Sequence, residues 1–231
     1  MKKHLIVFLC YELYDIHKKS YENLKVLDAD FFIVENPSQN TPKIETIFTN
    51  EAKVIKYIRF KVNTTNFGAA LIKNYYDFLM QYEYVTITDG DLLYDDPHAT
   101  KEEVVKNLQY KDVVISAVDM KLDNLPNVPG ADKWIHNGTL NTEFQYNECA
   151  TGGHFLTLLR ENLYLLQNVK IIDSIIHDKI TKLGKKWVKT VQNKAYHLTW
   201  DLYYPGNPYY EFKKTFTWCV NEDQQDYDVI I

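Results

Sequence analysis

Short apolar runs alternate with amphipathic stretches along this chain, and that alternation predicts a layered α/β domain. Leu5-Ile6-Val7-Phe8-Leu9-Cys10 is a continuous apolar run of strand length, and Tyr14 to Leu27 follows it with helical potential. Phe31-Phe32-Ile33-Val34 reads as a second strand, ending at Glu35-Asn36-Pro37-Ser38, and Val54-Ile55-Lys56-Tyr57-Ile58 is another apolar run. From Gly68 to about Gln81, Ile72, Tyr75, Tyr76 and Leu79 keep helical spacing along one face. That helix feeds into Tyr84-Val85-Thr86-Ile87-Thr88, β-branched and aromatic, which reads as a buried strand. Val113 to Val118 is a further strand, followed from about Asp123 to Gly138 by an irregular stretch rich in Asn, Pro and Gly, a candidate substrate loop. A helix is expected over Phe155–Asn162, and Asp173 opens an amphipathic helix carrying Ile176, Ile180 and Leu183.

Composition sets the outer bounds. At 231 residues, 45% hydrophobic and 14% aromatic, the chain buries a substantial core, as one large lobe or two intimately packed ones. A net charge of −5 argues against a generic nucleic-acid-binding surface. Cys10, Cys149 and Cys219 are widely separated and make neither a metal-ligand spacing nor a disulfide framework, which points to a reducing, cytoplasmic setting. Lys2-Lys3 before the first run imitate a signal peptide, but the run stops at Glu12 without a small-residue cleavage site, and no other segment approaches membrane-spanning length.

Chemistry concentrates at Thr88-Asp89-Gly90-Asp91-Leu92. The two carboxylates stand at the carboxyl end of an apolar strand, the edge where open α/β sheets bind ligands. Residues two apart on an extended segment share a side, so Asp89 and Asp91 converge, while Gly90 lets a backbone or phosphate approach closely. Magnesium or manganese takes hard oxygen ligands, often one or two carboxylates completed by substrate phosphates and water. The bland reading of the triplet is a turn or a helix N-cap leading into Tyr94-Asp95-Asp96-Pro97.

Other motifs follow in a fixed order. Asn66-Phe67-Gly68-Ala69-Ala70, with Asn74 eight residues after Asn66, precedes Asp89-Gly90-Asp91; then come Thr151-Gly152-Gly153-His154-Phe155, Asp173 eleven residues before Gly184, and His197. In that order the chain resembles a family 2 type glycosyltransferase over most of residues 4–200. The resemblance implies an α/β fold: a single GT-A, Rossmann-like domain over residues 1–202, with a central mixed, mostly parallel sheet flanked by helices. Its nucleotide-binding half would cover about 1–118 and its acceptor-binding half about 119–202, with the aromatic segment and acidic tail of 203–231 packed on it. Two positions depart from the family's pattern: Ile172 stands where the first residue of a Glu-Asp pair is expected, and Glu35 replaces an Asp at the end of the second strand.

The activity implied by the resemblance is metal-dependent transfer of a sugar from a UDP- or GDP-sugar to an acceptor hydroxyl, of a glycan or another molecule, with inversion. Asp173 would be the general base, from the start of its helix. Asp91 and His197 would hold Mn2+ or Mg2+, with Asp89 shared between metal and ribose, and a real His197 contact favours manganese. Glu35 would accept hydrogen bonds from the nucleotide base, Asn66 and Gly90 would line the donor site, and Gly152, Gly153, His154 and Trp134 would meet the acceptor.

Each role has a structural competitor. Asp173 also suits an N-cap, His197 a hydrogen-bonded core histidine, Glu35 a solvated strand end, and the glycine pair a simple turn. Among the 18 Tyr, 11 Phe and 4 Trp, residues such as Trp134, Tyr146 and Trp200 could stack on sugars, although most aromatics belong to a core. Lys179, Lys182, Lys185, Lys186, Lys189 and Lys194 form a basic run that suits a phosphate, an anionic lipid surface at a peripheral membrane contact, or a solvated helix face. Two other classes stay open: a nucleotidyltransferase, disfavoured by the glycine-free Cys10-Tyr11-Glu12-Leu13-Tyr14, and a non-catalytic carbohydrate-binding protein, which would not need the ordered acids.

Overall fold

The computed structural model describes residues 2–62, 67–135, 138–148, 154–167, 173–215 and 226–231, with backbone alone at 67–70, 133–134, 173–174 and 215. The first half runs β1 (Lys2–Cys10), α1 (Tyr14–Leu24), β2 (Asp30–Glu35), α2 (Thr41–Phe48), β3 (Val54–Phe60), α3 (Phe67–Leu79), β4 (Tyr82–Asp89), β5 (Leu92–Tyr94) and α4 (Pro97–Asn107). The second runs β6 (Val113–Met120), β7 (Thr139–Asn141), β8 (Tyr146–Glu148), β9 (Leu156–Leu159), α5 (Asp173–Lys182), β10 (Lys186–His197), α6 (Pro208–Thr215) and β11 (Tyr227–Val229). Among the described residues all the strands join one sheet, in the order β11-β3-β2-β1-β4-β9-β6-β10-β8-β7, with β5 added on β10.

Strands β3, β2, β1 and β4 are mutually parallel. Because the chain steps outward from β1 to β2 to β3 and then returns to the other side of β1 as β4, the connections diverge between β1 and β4. A crevice opens beyond their carboxyl ends, the usual ligand site of such sheets. Strand β9 then runs antiparallel to β4, and β6 and β10 are parallel to each other. At the far edge β11 pairs antiparallel with β3, Tyr227 opposite Phe60, so residues 227–229 belong to the sheet.

The apolar run of β1 is continuous because both of its faces are covered. Leu5 and Val7 enter one cluster, with Leu71, Ile72 and Leu79 of α3 and Ile176 and Ile180 of α5. Ile6, Phe8 and Cys10 enter the other, with Tyr21 and Leu24 of α1 and Ile44, Ile47 and Phe48 of α2. Phe8 meets Tyr21 and Phe48 edge-on, ring centroids 6.1 and 5.9 Å away. Truncating so enclosed a ring to alanine costs about 3–5 kcal/mol.

Three expectations change. The first helix stops at Leu24, and Leu27 is fully buried beyond its end, so its apolar signal reports the core, not the helix. Phe155–Asn162 is not an α-helix: Leu156–Leu159 form β9, which fills the slot between β4 and β6, and a 3-10 turn takes over at Arg160. Leu183 lies outside α5 and is exposed, because the helix closes there: Gly184 adopts φ +66°, with Gly184 N–H donating to Thr181 and Lys185 N–H to Ile180. The basic run is largely paired within the fold, Lys185 with Asp112, Lys186 with Glu148, Lys189 and Lys194 with Asp119, while Lys179 donates to the carbonyl of Leu165.

Candidate active site

A cavity of about 230 Å³ opens at the β1/β4 crevice. Leu9, Cys10 and Tyr11 come from the end of β1, Asp89, Gly90 and Asp91 from the end of β4, and His197 and Thr199 from the end of β10. That volume is below the few hundred Å³ that enclose a drug-sized ligand, so the cavity has room for only part of one.

Sheet register gathers the charged groups. Ile87 pairs with Leu156, and continuing that antiparallel register sets His154 against Asp89, where its Nδ1 lies 3.3 Å from Oδ2. His197 pairs with Leu92, and the Leu198 N–H donates to the Asp91 carbonyl at 2.8 Å, so the end of β10 is tied to the residue after Gly90. Residues more than a hundred positions apart in sequence thus share one wall.

Thr199, which nothing in the sequence pattern singled out, joins the expected groups. Its hydroxyl donates to Asp91 Oδ2 at 2.8 Å and lies 2.9 Å from His197 Nδ1. A hydroxyl has one proton, so with that proton on Asp91 the Nδ1–H of His197 donates to Thr199, and Nε2 keeps its lone pair. The imidazole stacks flat on Trp200, centroids 4.9 Å apart. Burial pushes the His197 pKa down, against the pull of Asp91, which favours the neutral, ligand-competent ring. Burial alone would raise the Asp89 carboxyl, but the hydrogen bond with His154, with smaller electrostatic contributions that include Lys213, brings it below its ordinary value.

Among the described residues no three His, Cys, Asp or Glu side chains form a ready-made metal cluster. The expected trio of Asp89, Asp91 and His197 is therefore on one wall but not preassembled. A hard divalent ion needs no such cage when one or two carboxylates and substrate phosphates complete its shell. One observation fits that incomplete site: Asp91 Oδ1 is buried and lacks a hydrogen-bond partner among the described residues, a lone acceptor that a cation would satisfy.

At Gly90, which also lines the cavity, it is a backbone that approaches closely. A Cβ there would stand 2.5 Å from the Leu9 carbonyl oxygen, 2.7 Å from His17 Nδ1 and 2.9 Å from the Phe8 ring. Its missing side chain is thus filled by protein, and the Gly90 carbonyl lies 2.7 Å from His17 Nδ1. The other ring nitrogen of His17 accepts from the Tyr11 N–H at 2.8 Å, so this buried imidazole ties the loop after β1 to the Asp-Gly-Asp turn. A histidine one helical turn into α1 carries no sequence signal of that role.

Glu35 is enclosed, not solvated, and its Oε1 is buried without a hydrogen-bond partner among the described residues. It has no exposed surface and is absent from the cavity lining; Tyr57 and Arg59 donate to its Oε2, and Arg59 also reaches Glu45. Its Oε2 is thus held in a charged cluster between β2 and β3. Asn66, Gly152 and Gly153 lie outside the described residues. Trp134 ends a short 3-10 turn and Asp173 is the first residue of α5, both described as backbone alone.

The C-terminal segment also lines the cavity, through Tyr203, Tyr209 and Lys213. Helix α6 starts because Asn207 Oδ1 accepts from the N–H of Tyr209 at 2.9 Å, Pro208 fits the first turn, and Glu211 accepts from the Gly206 N–H at 3.1 Å. Phe212 stacks on Tyr11, centroids 6.4 Å apart, which seats the helix over the end of β1. The Asn-Pro start with Glu211 in the first turn is a legible helix signal, and Tyr209 and Lys213, four apart, share a face.

Solved structures share this architecture. GalNAc-T7, crystallised with UDP, GalNAc and Mn2+, matches 84% of this chain and 43% of its own at TM-score 0.59 and 11% identity. TarS of S. aureus matches 85% of this chain and 60% of its own at TM-score 0.53 and 15% identity. HddC of Yersinia pseudotuberculosis, complexed with GMP-PN, matches 92% of this chain and 99% of its own at TM-score 0.53 and 11% identity. At such identities the likeness defines the fold alone, and that fold is GT-A-like. No family model matches the chain. Its sequence relatives include two uncharacterised proteins of Acanthamoeba polyphaga mimivirus, 33% and 31% identical over 92% and 96% of this chain. The chain spans only 48% and 27% of their lengths. Among the described residues no helix is long and apolar enough to cross a membrane.

Proposed function

We propose that this chain is a metal-dependent glycosyltransferase domain that moves a sugar from a nucleoside diphosphate donor to an acceptor hydroxyl with inversion. The observation that carries the reading is the convergence of Asp89, Asp91 and His197 on the β1/β4 crevice, with the buried Oδ1 of Asp91 unsatisfied among the described residues. Mn2+ or Mg2+ would be held by Asp91 and His197 with Asp89, and when bound supplies positive charge to a diphosphate leaving group. GalNAc-T7, solved with UDP and Mn2+ on the same fold, supports the donor class.

This chain's own residues divide the remaining work. His154 orients Asp89, Thr199 orients Asp91 and His197, and His17 fixes the turn between the acids. In this reading Asp173 takes the proton from the acceptor hydroxyl as the oxygen attacks the anomeric carbon, and the bond to the diphosphate oxygen breaks. Its place at the first residue of a ten-residue helix suits a carboxylate that stays ionised, since the helix N-terminus favours negative charge.

One observation favours a second reading, nucleotidyl transfer onto a sugar phosphate: the near end-to-end match with nucleotide-bound HddC. A panel of nucleotide sugars incubated with Mn2+ separates the two. Slow release of UDP or GDP, abolished by chelation, is expected. Inertness toward every nucleotide sugar, with release of pyrophosphate from a nucleoside triphosphate and a sugar phosphate, would overturn glycosyl transfer in favour of the second reading.

A further inference from the structure

Lys213 lines the same cavity as Asp89, Asp91 and His197, and sits one turn after Tyr209, its Nζ 5.8 Å from the centre of that ring. Burial pushes its ammonium pKa down, while Asp91 and Asp89 pull it up, so the two carboxylates and the ammonium sense one another across the cavity. The helix is not incidentally placed, since Phe212 stacks on Tyr11 and Tyr203 meets Tyr209 edge-on at 6.0 Å.

Charge and position together select a ligand. Two carboxylates and one ammonium leave one net negative charge, which attracts a divalent cation. With that cation on the acids, an anion lying between the ion and the Lys213 ammonium would be attracted by both. A diphosphate, with oxygens on both phosphates, meets the ion on one side and the ammonium on the other. A neutral sugar hydroxyl or a nucleoside would not.

We infer that Lys213 is a diphosphate-binding residue, so that α6 completes the donor site begun by Asp89 and Asp91. This rests on the glycosyltransferase reading, which it deepens. As the bond from the anomeric carbon to the β-phosphate oxygen breaks, its electron pair stays on that oxygen, and Lys213 donates a hydrogen bond to the charge that forms. No proton need transfer. Metal and diphosphate binding are then mutually reinforcing, each reducing the electrostatic cost of the other.

Calorimetric titration of the full chain with UDP, GDP and inorganic pyrophosphate in Mn2+, and with Mn2+ alone, tests this in wild type, Lys213→Met and Lys213→Arg. Lys213→Met keeps the stem that lies along Tyr209. It is expected to weaken the diphosphates at least tenfold while leaving the affinity for Mn2+ alone equal or higher, and Lys213→Arg is expected to restore most of the loss. Equal diphosphate affinity in wild type and Lys213→Met overturns the inference and leaves glycosyl transfer standing. A parallel loss of Mn2+ affinity assigns Lys213 to the integrity of the acid wall and also overturns it. Wild-type protein that binds none of the three probes overturns the donor reading, and the inference with it.

Discussion

Asp91 Oδ2 and His197 Nδ1 lie 3.6 Å apart, with the Thr199 hydroxyl within hydrogen-bond distance of both. That hydroxyl fixes which nitrogen of His197 carries the proton, and hence which one faces a ligand. Thr199→Val keeps the shape and removes the link. Loss of such an orienting group lowers metal affinity by about 10–100-fold. Mn2+ titration of the variant should show that weakening with a melting temperature close to wild type; unchanged affinity would separate Thr199 from the site.

Asp91 itself should carry the metal dependence of nucleotide binding. Asp91→Asn removes the charge, keeps the size and can still accept from Thr199. Stabilisation of the protein by UDP or GDP with Mn2+, read as a rise in melting temperature, should largely vanish. An undiminished rise in the variant would assign the ion to other residues.

Gly90 should tolerate no side chain. Alanine would bring its Cβ to 2.5 Å from the Leu9 carbonyl, a backbone atom that cannot rotate away. Overpacking of this kind costs about 1–3 kcal/mol or more. Denaturant unfolding of Gly90→Ala should reveal that loss, and because the turn carries both acids, Mn2+ binding should weaken with it.

Acid should unfold the protein partly through His4. The ring is buried between β1 and β4, its Nε2 2.6 Å from Thr86 Oγ1, which reaches Thr157 on β9. Burial, with a smaller contribution from Lys101, pushes its pKa down to about 3 from 6.5. The folded state therefore resists the proton that the unfolded chain accepts: stability is intact above about pH 6.5 and declines as pH falls toward about 3. His4→Gln keeps a hydrogen-bonding group and cannot titrate. Between pH 6 and 4 its unfolding free energy should fall less steeply, by up to about 1.4 kcal/mol per pH unit. Parallel slopes would show that His4 contributes nothing to acid sensitivity.

Asp173→Asn should separate binding from chemistry. The amide can still cap α5, so fold and donor affinity should survive, while loss of a general base lowers kcat by roughly a hundred- to ten-thousand-fold. The product anomer, read by NMR once an acceptor is found, should be opposite to the donor's. Retention of configuration, or near-normal turnover, would remove Asp173 from the role.

What the sequence determined by itself is what local patterning can encode. The doubly buried strands β1, β2, β4 and β6 announce themselves as apolar runs because both faces are covered, and Asp89-Gly90-Asp91 stands out because charge ends such a run. The helices with one apolar stripe, α3 and α5, were legible from their period. What only the tertiary structure decided depends on partners distant in sequence. Leu156–Leu159 has no helix or strand preference strong enough to settle its state, and becomes β9 because β4 and β6 both offer it backbone hydrogen bonds. Glu35 looks open at a strand end until Tyr57 and Arg59, on the neighbouring strand, enclose it. Gly90 looks like room for a ligand until the β1 backbone and His17 fill it. Thr199, His17 and Lys213 reach the cavity only when β10, α1 and α6 fold onto the β1/β4 crevice, since side-chain chemistry at a site is set by distances in space that no spacing along the chain specifies.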